Sequence, residues 1–306
     1  MKKDNQSVCA ICCDRANFQV LYKKNFNTKK HLNTKIFSAR RMPDKIHGTI
    51  VRCENCGLVR SLEIIDRKQL NKLYEDSHFT YSSMTEKLKE TYGLILKEAG
   101  KYVPSKKTFL EIGCGNGFML EEAKNQGYRV VRGVEPSVEA IVHATKAIKK
   151  NIVNNILEAD TFDNNTFDLI CAFQVFDHIP DPNSFLAICH HILKPKGVLL
   201  LMNHDVKSFS AKVLGESSPI FDIEHTYLYD QSTIKNILTK NNYKIKKVYS
   251  PQAIMSIRYI IRLLPLPTKL KKYFAQIKLP LLEKTIKFYP GNLCAISIKP
   301  VSTRND

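Results

Sequence analysis

No apolar run in this chain reaches the roughly 18 residues that a membrane-spanning helix needs, so the 306-residue sequence is not expected to cross a bilayer. The start of the chain to Ser7 is polar and the short apolar run behind it, residues 8–13, falls below the roughly 7–15 residues of a leader's apolar region, which argues against a secretory leader. Internal repeats and low-complexity tracts are missing too, which sets aside solenoids and long disordered tails. Acidic residues are scarce: 29 Asp and Glu against 47 Lys and Arg leave a formal charge of +18. An excess of that size attracts nucleic acid, anionic lipid or phosphorylated molecules. Lys far outnumbers Arg, however, and Arg is the residue suited to bidentate phosphate contacts. The charge therefore reads first as compositional bias, with nucleic acid as a secondary partner. Nine cysteines without an export signal point to metal ligands and buried thiols in a reducing cytoplasm. A hydrophobic share of 43% is enough for one large core and a smaller one.

Three stretches differ in character. Residues 1–61 are basic and carry two pairs, Cys9-x-x-Cys12 and Cys53-x-x-Cys56. Four thiolates so spaced suit tetrahedral zinc, with Gly57 at the tight turn around it. A small zinc-ribbon-like module with a structural Zn²⁺ is expected. Cys13 is an extra thiol, and His31 and His47 are weaker ligand candidates. Residues 62–104 read as a helical linker or lid, because Leu70, Leu73 and Tyr74, then Leu88, Tyr92, Ile95 and Leu96, recur at helical spacing. Tyr74 and Tyr81 are candidates for reaching a pocket.

Residues 105–306 alternate strands with helices, the pattern of an α/β domain with a parallel sheet. Strands are expected near 107–112, 129–134, 152–155, 167–173, 197–203, 243–249 and 293–299, and helices near 117–126, 137–149, 182–193 and 231–241. Ser137 is a candidate N-cap and Asp181-Pro182 a helix start. Cys114, Cys171, Cys189 and Cys294 fall in apolar surroundings and read as small core residues. An insertion at 251–290 places Ile254, Ile257, Ile261 and Leu264 on one helical face, ended by Pro265 and Pro267 and followed by Lys269, Lys271 and Lys272. It suits a helix packed on the sheet, a cap over an acceptor pocket, or peripheral contact with a membrane surface.

The most informative stretch is Phe109-Leu-Glu-Ile-Gly-Cys-Gly-Asn-Gly117. An apolar strand runs into three glycines and then a helical pattern, which aims backbone N–H groups at whatever lies above the strand end. Glu135 closes the next strand, where a carboxylate can accept both hydroxyls of a ribose. Asp160 follows a third strand and suits an exocyclic adenine amine, with Thr161 beside it. The spacing G-x-G-x-x-G, more usual in dehydrogenases, is absent.

Glu111 to Gly117 resembles the first motif of class I S-adenosylmethionine-dependent methyltransferases. Phe167-Asp-Leu-Ile-Cys-Ala-Phe-Gln-Val-Phe-Asp-His-Ile-Pro-Asp-Pro resembles their fourth-strand motif, and Ile192-Leu-Lys-Pro-Lys-Gly-Val-Leu-Leu-Leu the segment entering their fifth strand. The match covers about residues 105–250, in the family's order. It implies a Rossmann-like seven-stranded, mostly parallel sheet whose last strand is antiparallel. It also implies S-adenosylmethionine as cofactor. Glu111 would face the methionine amine; Gly113, Cys114, Gly115 and Gly117 would line methionine and ribose. Glu135 would hold the ribose, Asp160 and Thr161 the adenine, and Phe173 and Gln174 would close over it.

Candidate bases are His178, His204-Asp205 and Glu224-His225, with His225 in a segment that resembles an acceptor-facing loop. Quinone-biosynthesis O-methyltransferases place two glutamates and a histidine around the fourth-strand motif, sometimes holding a metal. Gln174 and Asp177 stand at the two glutamate places here, which argues against a quinol substrate and a catalytic metal. Cysteine-rich fronts similar to this one occur in deoxysugar C-methyltransferases and other relatives from polysaccharide and natural-product pathways. The expected activity is methyl transfer to a small molecule: a sugar, a lipid-linked or a secondary-metabolite intermediate. The alternatives are an RNA methyltransferase that uses the zinc module and basic surface, or a non-catalytic relative that only binds cofactor.

Overall fold

A computed structural model describes residues 6–25, 46–65, 67–75, 85–263, 266–267, 270, 273–274, 276–277 and 279–301. Among the residues singled out from the sequence, His31, Tyr81, Leu264, Pro265, Lys269, Lys271 and Lys272 lie outside the described residues. The strands, in chain order, are β1 (Phe18–Tyr22), β2 (Ile50–Cys53), β3 (Val59–Ser61), β4 (Thr108–Ile112), β5 (Val130–Val134), β6 (Ile152–Val153), β7 (Phe167–Phe173), β8 (Leu193–His204), β9 (Tyr227–Leu228), β10 (Lys244–Tyr249), β11 (Ala253–Ser256), β12 (Thr285–Phe288) and β13 (Asn292–Ile298).

Seven of them form one sheet, ordered β10-β13-β8-β7-β4-β5-β6. The pairs β4–β5, β4–β7, β5–β6 and β7–β8 are parallel, and β13 runs antiparallel to both β8 and β10. This is the Rossmann-like seven-stranded sheet with an antiparallel last strand that the resemblance implies, and its parallel part is what the alternation of strands and helices predicts. Strand order reverses between β4 and β7, and in such sheets ligands bind beyond the strands' carboxyl ends at that switch point.

Side-chain alternation divides the core into two layers. Leu110, Ile112, Ile170, Ala172, Leu199 and Leu201 face one side, with helices Pro182–Ile192 and Gln231–Lys240 packed on them. Phe109, Leu169, Cys171, Leu200 and Met202 face the other, under helices Thr85–Ala99 and Phe118–Asn125. With both faces covered, β7 is buried at every position, and each large side chain so buried contributes about 1.5–3 kcal/mol. The expected helix starts hold: the Asp181 carboxylate accepts from the Ser184 N–H with Pro182 in the first turn, and the Ser137 hydroxyl accepts from the Ala140 N–H.

The cysteine-bearing front is joined to this sheet. β1, β2 and β3 continue into β9, a strand from the large α/β unit, through Val59 opposite Leu228 and Arg60 opposite Tyr227. Cys9, Ala10, Cys53 and Leu58 belong to the same apolar layer as Leu110 and Leu199. The Tyr227 hydroxyl donates to the Val8 carbonyl at 2.8 Å, and Asn183 Nδ2 and Lys240 Nζ donate to the Ala10 carbonyl.

Expectations at three places need correction. The helix expected near 137–149 is two short ones, Val138–Val142 and Lys146–Lys149. Ile254 lies in β11, not on a helix; the helix of that segment is Ile257–Leu263. β11 pairs antiparallel with β12 as a two-stranded ribbon, and the Ile254 N–H donates to Thr91 Oγ1. Contact with the helix Thr85–Ala99 decides the backbone here, over the local apolar period. The fifth expected strand also begins earlier, at Leu193. No helix among the described residues is long and apolar enough to cross a membrane.

Candidate functional site

The glycine loop forms as its sequence requires. Gly113, Gly115 and Gly117 take φ values of +70°, +55° and +75°, a region strained for residues with a Cβ. A Cβ on Gly113 would lie 2.5 Å from Val175 Cγ2. The Gly113 N–H donates to the Val134 carbonyl at 2.8 Å, tying the loop to the end of β5. Glu135, one residue beyond β5, braces the loop from beside it. Its Oε2 accepts from the Gly115 N–H at 2.7 Å and its Oε1 from the Ser137 N–H at 2.9 Å.

Glu111 sits on the adjacent strand, in register with Gly133. It is buried, and its Oε2 has no hydrogen-bond partner. Burial, and then the neighbouring Glu135 charge, push the Glu111 carboxyl well above the usual carboxylate range. Burial raises Glu135 as well, against the pull of the Ser137 and Gly115 N–H groups. Cys114 is a buried thiol pushed far up by burial and by these two acids, so it packs as a small apolar residue.

At the end of β7 the Phe173 ring stacks on Tyr92, centroids 4.5 Å apart and planes 6° from parallel. Gln174 follows with φ of +57°, a left-handed backbone in a residue with a side chain. Such strain persists where surrounding contacts fix it: the Gln174 N–H donates to the Met202 carbonyl and Nε2 to Asn292 Oδ1. Asp160 and Thr161 lie in the loop after β6. Asp160 is exposed, and the Thr161 hydroxyl accepts from the Glu158 N–H. The structure thus brings Glu111, the glycines and Glu135 together, while Asp160 meets solvent.

Among the described residues, six of the nine buried side-chain atoms without a partner belong to Glu111, Asn116, Gln174, Asp177 and Asn203. All lie at or just beyond the carboxyl ends of β4, β7 and β8. Buried polar atoms are rarely left unmatched, so their collection along one rim marks where a polar ligand fits. A cationic amine suits Glu111, and backbone N–H groups with a carboxylate alongside suit a sugar. Asn116 and Asn203 were not identified from the sequence. The available signal for Asn203 was a polar residue closing the apolar run of β8.

A second cluster adjoins this rim. Asp177, in the turn Phe176–His178 after β7, is fully buried. His204 Nδ1 lies 2.8 Å from Asp177 Oδ2, His178 Nε2 3.7 Å from Oδ1, and His225 Nε2 3.9 Å from Oδ2. The His225 ring lies 4.7 Å from that of His178 and 4.8 Å from that of His204, centroid to centroid. The Tyr74 hydroxyl is 3.1 Å from His178 Nδ1. Burial opposes the Asp177 charge, but the His204 hydrogen bond and the three imidazoles hold its carboxyl well below the usual range. His225 is shifted below the usual imidazole value by burial, despite the pull of Asp177. Both candidate bases, His178 and His225, therefore meet around one carboxylate. The cluster draws on three separate segments, which no local spacing reveals.

The four thiols of Cys9, Cys12, Cys53 and Cys56 lie within 4.8 Å of one another. Cys9 and Cys56 Sγ are 3.3 Å apart, Cys12 and Cys53 Sγ 3.4 Å. Two matching turns hold them. The Cys13 N–H donates to the Cys9 carbonyl and the Gly57 N–H to the Cys53 carbonyl, both at 2.9 Å. Cys13 and Gly57 both have positive φ, +63° and +78°. Cys13 thus fills the turn position that glycine fills in the other knuckle, and its Sγ meets Lys240 Nζ. His47 is buried away from the thiols, its ring nitrogens on the Gly48 carbonyl and Glu216.

Comparison with known proteins bears on residues 84–248, just over half of the chain, which match the family model described as methyltransferase domain. The chain is 30% identical over 112 residues to the ubiquinone biosynthesis O-methyltransferase of Rhodopseudomonas palustris, covering 35% of this chain and 44% of that protein. It is 31% identical over 116 residues to the enzyme of the same name from Aliivibrio fischeri, covering 36% and 50%. The chain thus spans about half the length of the curated relatives it matches. A SAM dependent methyltransferase from Archaeoglobus fulgidus superposes with a TM-score of 0.47 at 18% identity, over 72% of this chain and all of that one. One from Aquifex aeolicus gives 0.44 at 16%, over 77% of this chain.

Proposed function

Because this chain belongs to the methyltransferase-domain family, we propose that it transfers a methyl group from S-adenosylmethionine to a hydroxyl of a small molecule. The observation that carries the reading is the rim at the ends of β4 and β5, where a buried Glu111 oxygen lacks a partner beside a glycine loop braced by Glu135. That rim lies inside the matched segment. The name shared by the curated relatives supports an oxygen acceptor. Gln174 and Asp177, at the places where quinone-pathway enzymes carry glutamates, leave the acceptor open among sugar, lipid-linked and secondary-metabolite hydroxyls.

S-adenosylmethionine, when bound, supplies a methyl carbon on a positively charged sulfur. Glu111 holds the amine, because a buried carboxyl gains most from a cation placed against it. Gly113, Cys114, Gly115 and Gly117 let backbone approach the ribose, Glu135 accepts from its hydroxyls, and Asp160 with Thr161 takes the adenine edge. Phe173 and Gln174 line the methyl end, an aromatic face tolerating positive charge. Holding the acceptor oxygen in line with the methyl carbon supplies much of the rate. The proton leaving the hydroxyl goes to an imidazole, His225 or His178, with Asp177 stabilising the cation formed.

Cys9, Cys12, Cys53 and Cys56 hold a structural Zn²⁺, since four thiolates leave no open position. Reduced thiols at all nine cysteines suit a cytoplasmic setting. Metal analysis of Cys12→Ser should find one zinc fewer per chain than the wild type.

The test of the activity is equilibrium binding of S-adenosylmethionine, followed by incubation of methyl-labelled cofactor with a fractionated cell extract. Label is expected in the small-molecule fraction. Absence of cofactor binding overturns the reading, and label confined to RNA overturns the acceptor class.

A further inference from the structure

We propose that Asp177, His204 and His225 bind a divalent first-row transition ion, at a site separate from the four thiols. One ligand atom from each of the three lies within 4.8 Å of the others. Donors about 2.1 Å from a common ion stand about 3.4 Å apart in a tetrahedron, so modest side-chain closure completes the geometry. Two imidazoles and one carboxylate select ions such as Zn²⁺, Co²⁺, Ni²⁺ or Fe²⁺ over Mg²⁺ and Ca²⁺, which prefer all-oxygen sets.

Hydrogen bonding shows why a cation belongs there. The Ile220 carbonyl, 2.9 Å from His225 Nδ1, can only accept. Nδ1 therefore carries the proton, and Nε2 presents a lone pair to Asp177 Oδ2 at 3.9 Å. Two acceptors then face one another across a buried gap, an arrangement that a positive charge between them stabilises. A backbone carbonyl on the far ring nitrogen is also the usual device that orients a metal-ligating histidine. Asp177 Oδ1, in a side chain with no solvent exposure, has no hydrogen-bond partner. That orphaned oxygen is an observation independent of the three-residue geometry.

The backbone fixes the set in advance. The Thr226 N–H, next to His225, donates to the Asp177 carbonyl at 2.9 Å. The His204 N–H approaches Asp177 Oδ2 at 3.4 Å. His204 closes β8 and His225 precedes β9, so neither belongs to the segment after β7 that supplies Asp177. The His204 side chain is 28% exposed, which gives an ion a way in. Three protein donors leave coordination positions open to water or to an acceptor oxygen, and with His225 Nε2 on the ion it is His178 that takes the hydroxyl proton. That last step rests on the methyl-transfer reading, whereas ion binding itself does not.

The test titrates Co²⁺ into the full-length protein with its thiol site already filled by zinc, in the absence of cofactor and acceptor. One equivalent of cobalt per chain is expected, giving visible ligand-field absorption without thiolate charge-transfer bands. His204→Gln, at a partly exposed position, should weaken cobalt binding at least a hundredfold. Asp177→Asn, which keeps the shape, should do the same. Retention of zinc by the thiols reports that each variant is folded. Wild-type protein that takes up no cobalt, or shows only thiolate bands, overturns the proposal. So does undiminished binding in either variant, since a histidine–carboxylate hydrogen-bond network without an ion predicts that result. Cofactor binding is measured separately and fails or survives on its own.

Discussion

Glu111 and Asp177 are both buried carboxyl groups at the carboxyl ends of parallel strands, yet their surroundings push them in opposite directions. Asp177 lies among three imidazoles, which hold it ionised against the cost of burial. Glu111 lies beside another carboxylate, so burial and charge both act against ionisation. Burial alone does not fix the charge of a group; the sign of its neighbours does. Both acids carry one oxygen without a hydrogen-bond partner, but the groups facing Asp177 are imidazoles. The charged neighbour of Glu111 is another carboxylate, so only a cationic group of a ligand offsets its charge.

The sharpest way to break this contrast is Asp177→Asn. It removes the charge and keeps the shape, so it should destabilise the protein by about 3 kcal/mol at pH 7, from a charge-assisted hydrogen bond and its supporting imidazoles. A depressed carboxyl contributes stability above its unfolded value and loses it as pH falls through the folded one. The deficit should therefore shrink as pH drops below the ordinary aspartate value of 3.8. Guanidinium unfolding at pH 7 and pH 3 measures it. A deficit that stays constant would show that Asp177 acts through packing instead.

Next in size is Glu135→Ala. Two backbone N–H groups lose their acceptor, and the glycine loop loses the brace that shapes it. The dissociation constant for S-adenosylmethionine should rise about 100-fold, or about 2.7 kcal/mol. Calorimetric titration that finds less than a threefold change would remove Glu135 from the cofactor site.

Much of this was legible because its causes are local. The glycines at 113, 115 and 117, the apolar run of β7 and the cap at Asp181 each state their backbone in a few residues. The paired cysteines announce their knuckles in the same way. What was hidden depends on contacts between distant segments. β9 is two residues long, too short for any period, yet it adds a strand from the segment after β8 to the cysteine-bearing sheet. Ile254 fits a helical face by spacing and enters a strand because β12 and Thr91 hold it there. The residues around Asp177 come from the ends of β7 and β8 and the loop before β9. Each histidine was visible singly, but their convergence is a product of the sheet's strand order.

The smallest expected effect is the most diagnostic. Glu111→Gln replaces a buried, partnerless carboxyl with a neutral side chain of the same shape. A carboxyl raised in the folded state contributes its full stability below the unfolded value, 4.5, and loses it as pH climbs toward the folded value. The wild type should therefore fall behind the variant above that pH. Glu111→Gln should be about 1–2 kcal/mol more stable at pH 8, the cost of a buried unsatisfied group, and equal to wild type near pH 4. The same variant should bind S-adenosylmethionine about tenfold more weakly, since it no longer offers charge to the amine, a loss of about 1.4 kcal/mol. Both pH differences fade in acid but carry opposite signs: a deficit for Asp177→Asn and a surplus for Glu111→Gln. A variant at Glu111 that is less stable than wild type at every pH would mean the carboxyl already has a partner inside the fold, and the contrast between the two acids would disappear.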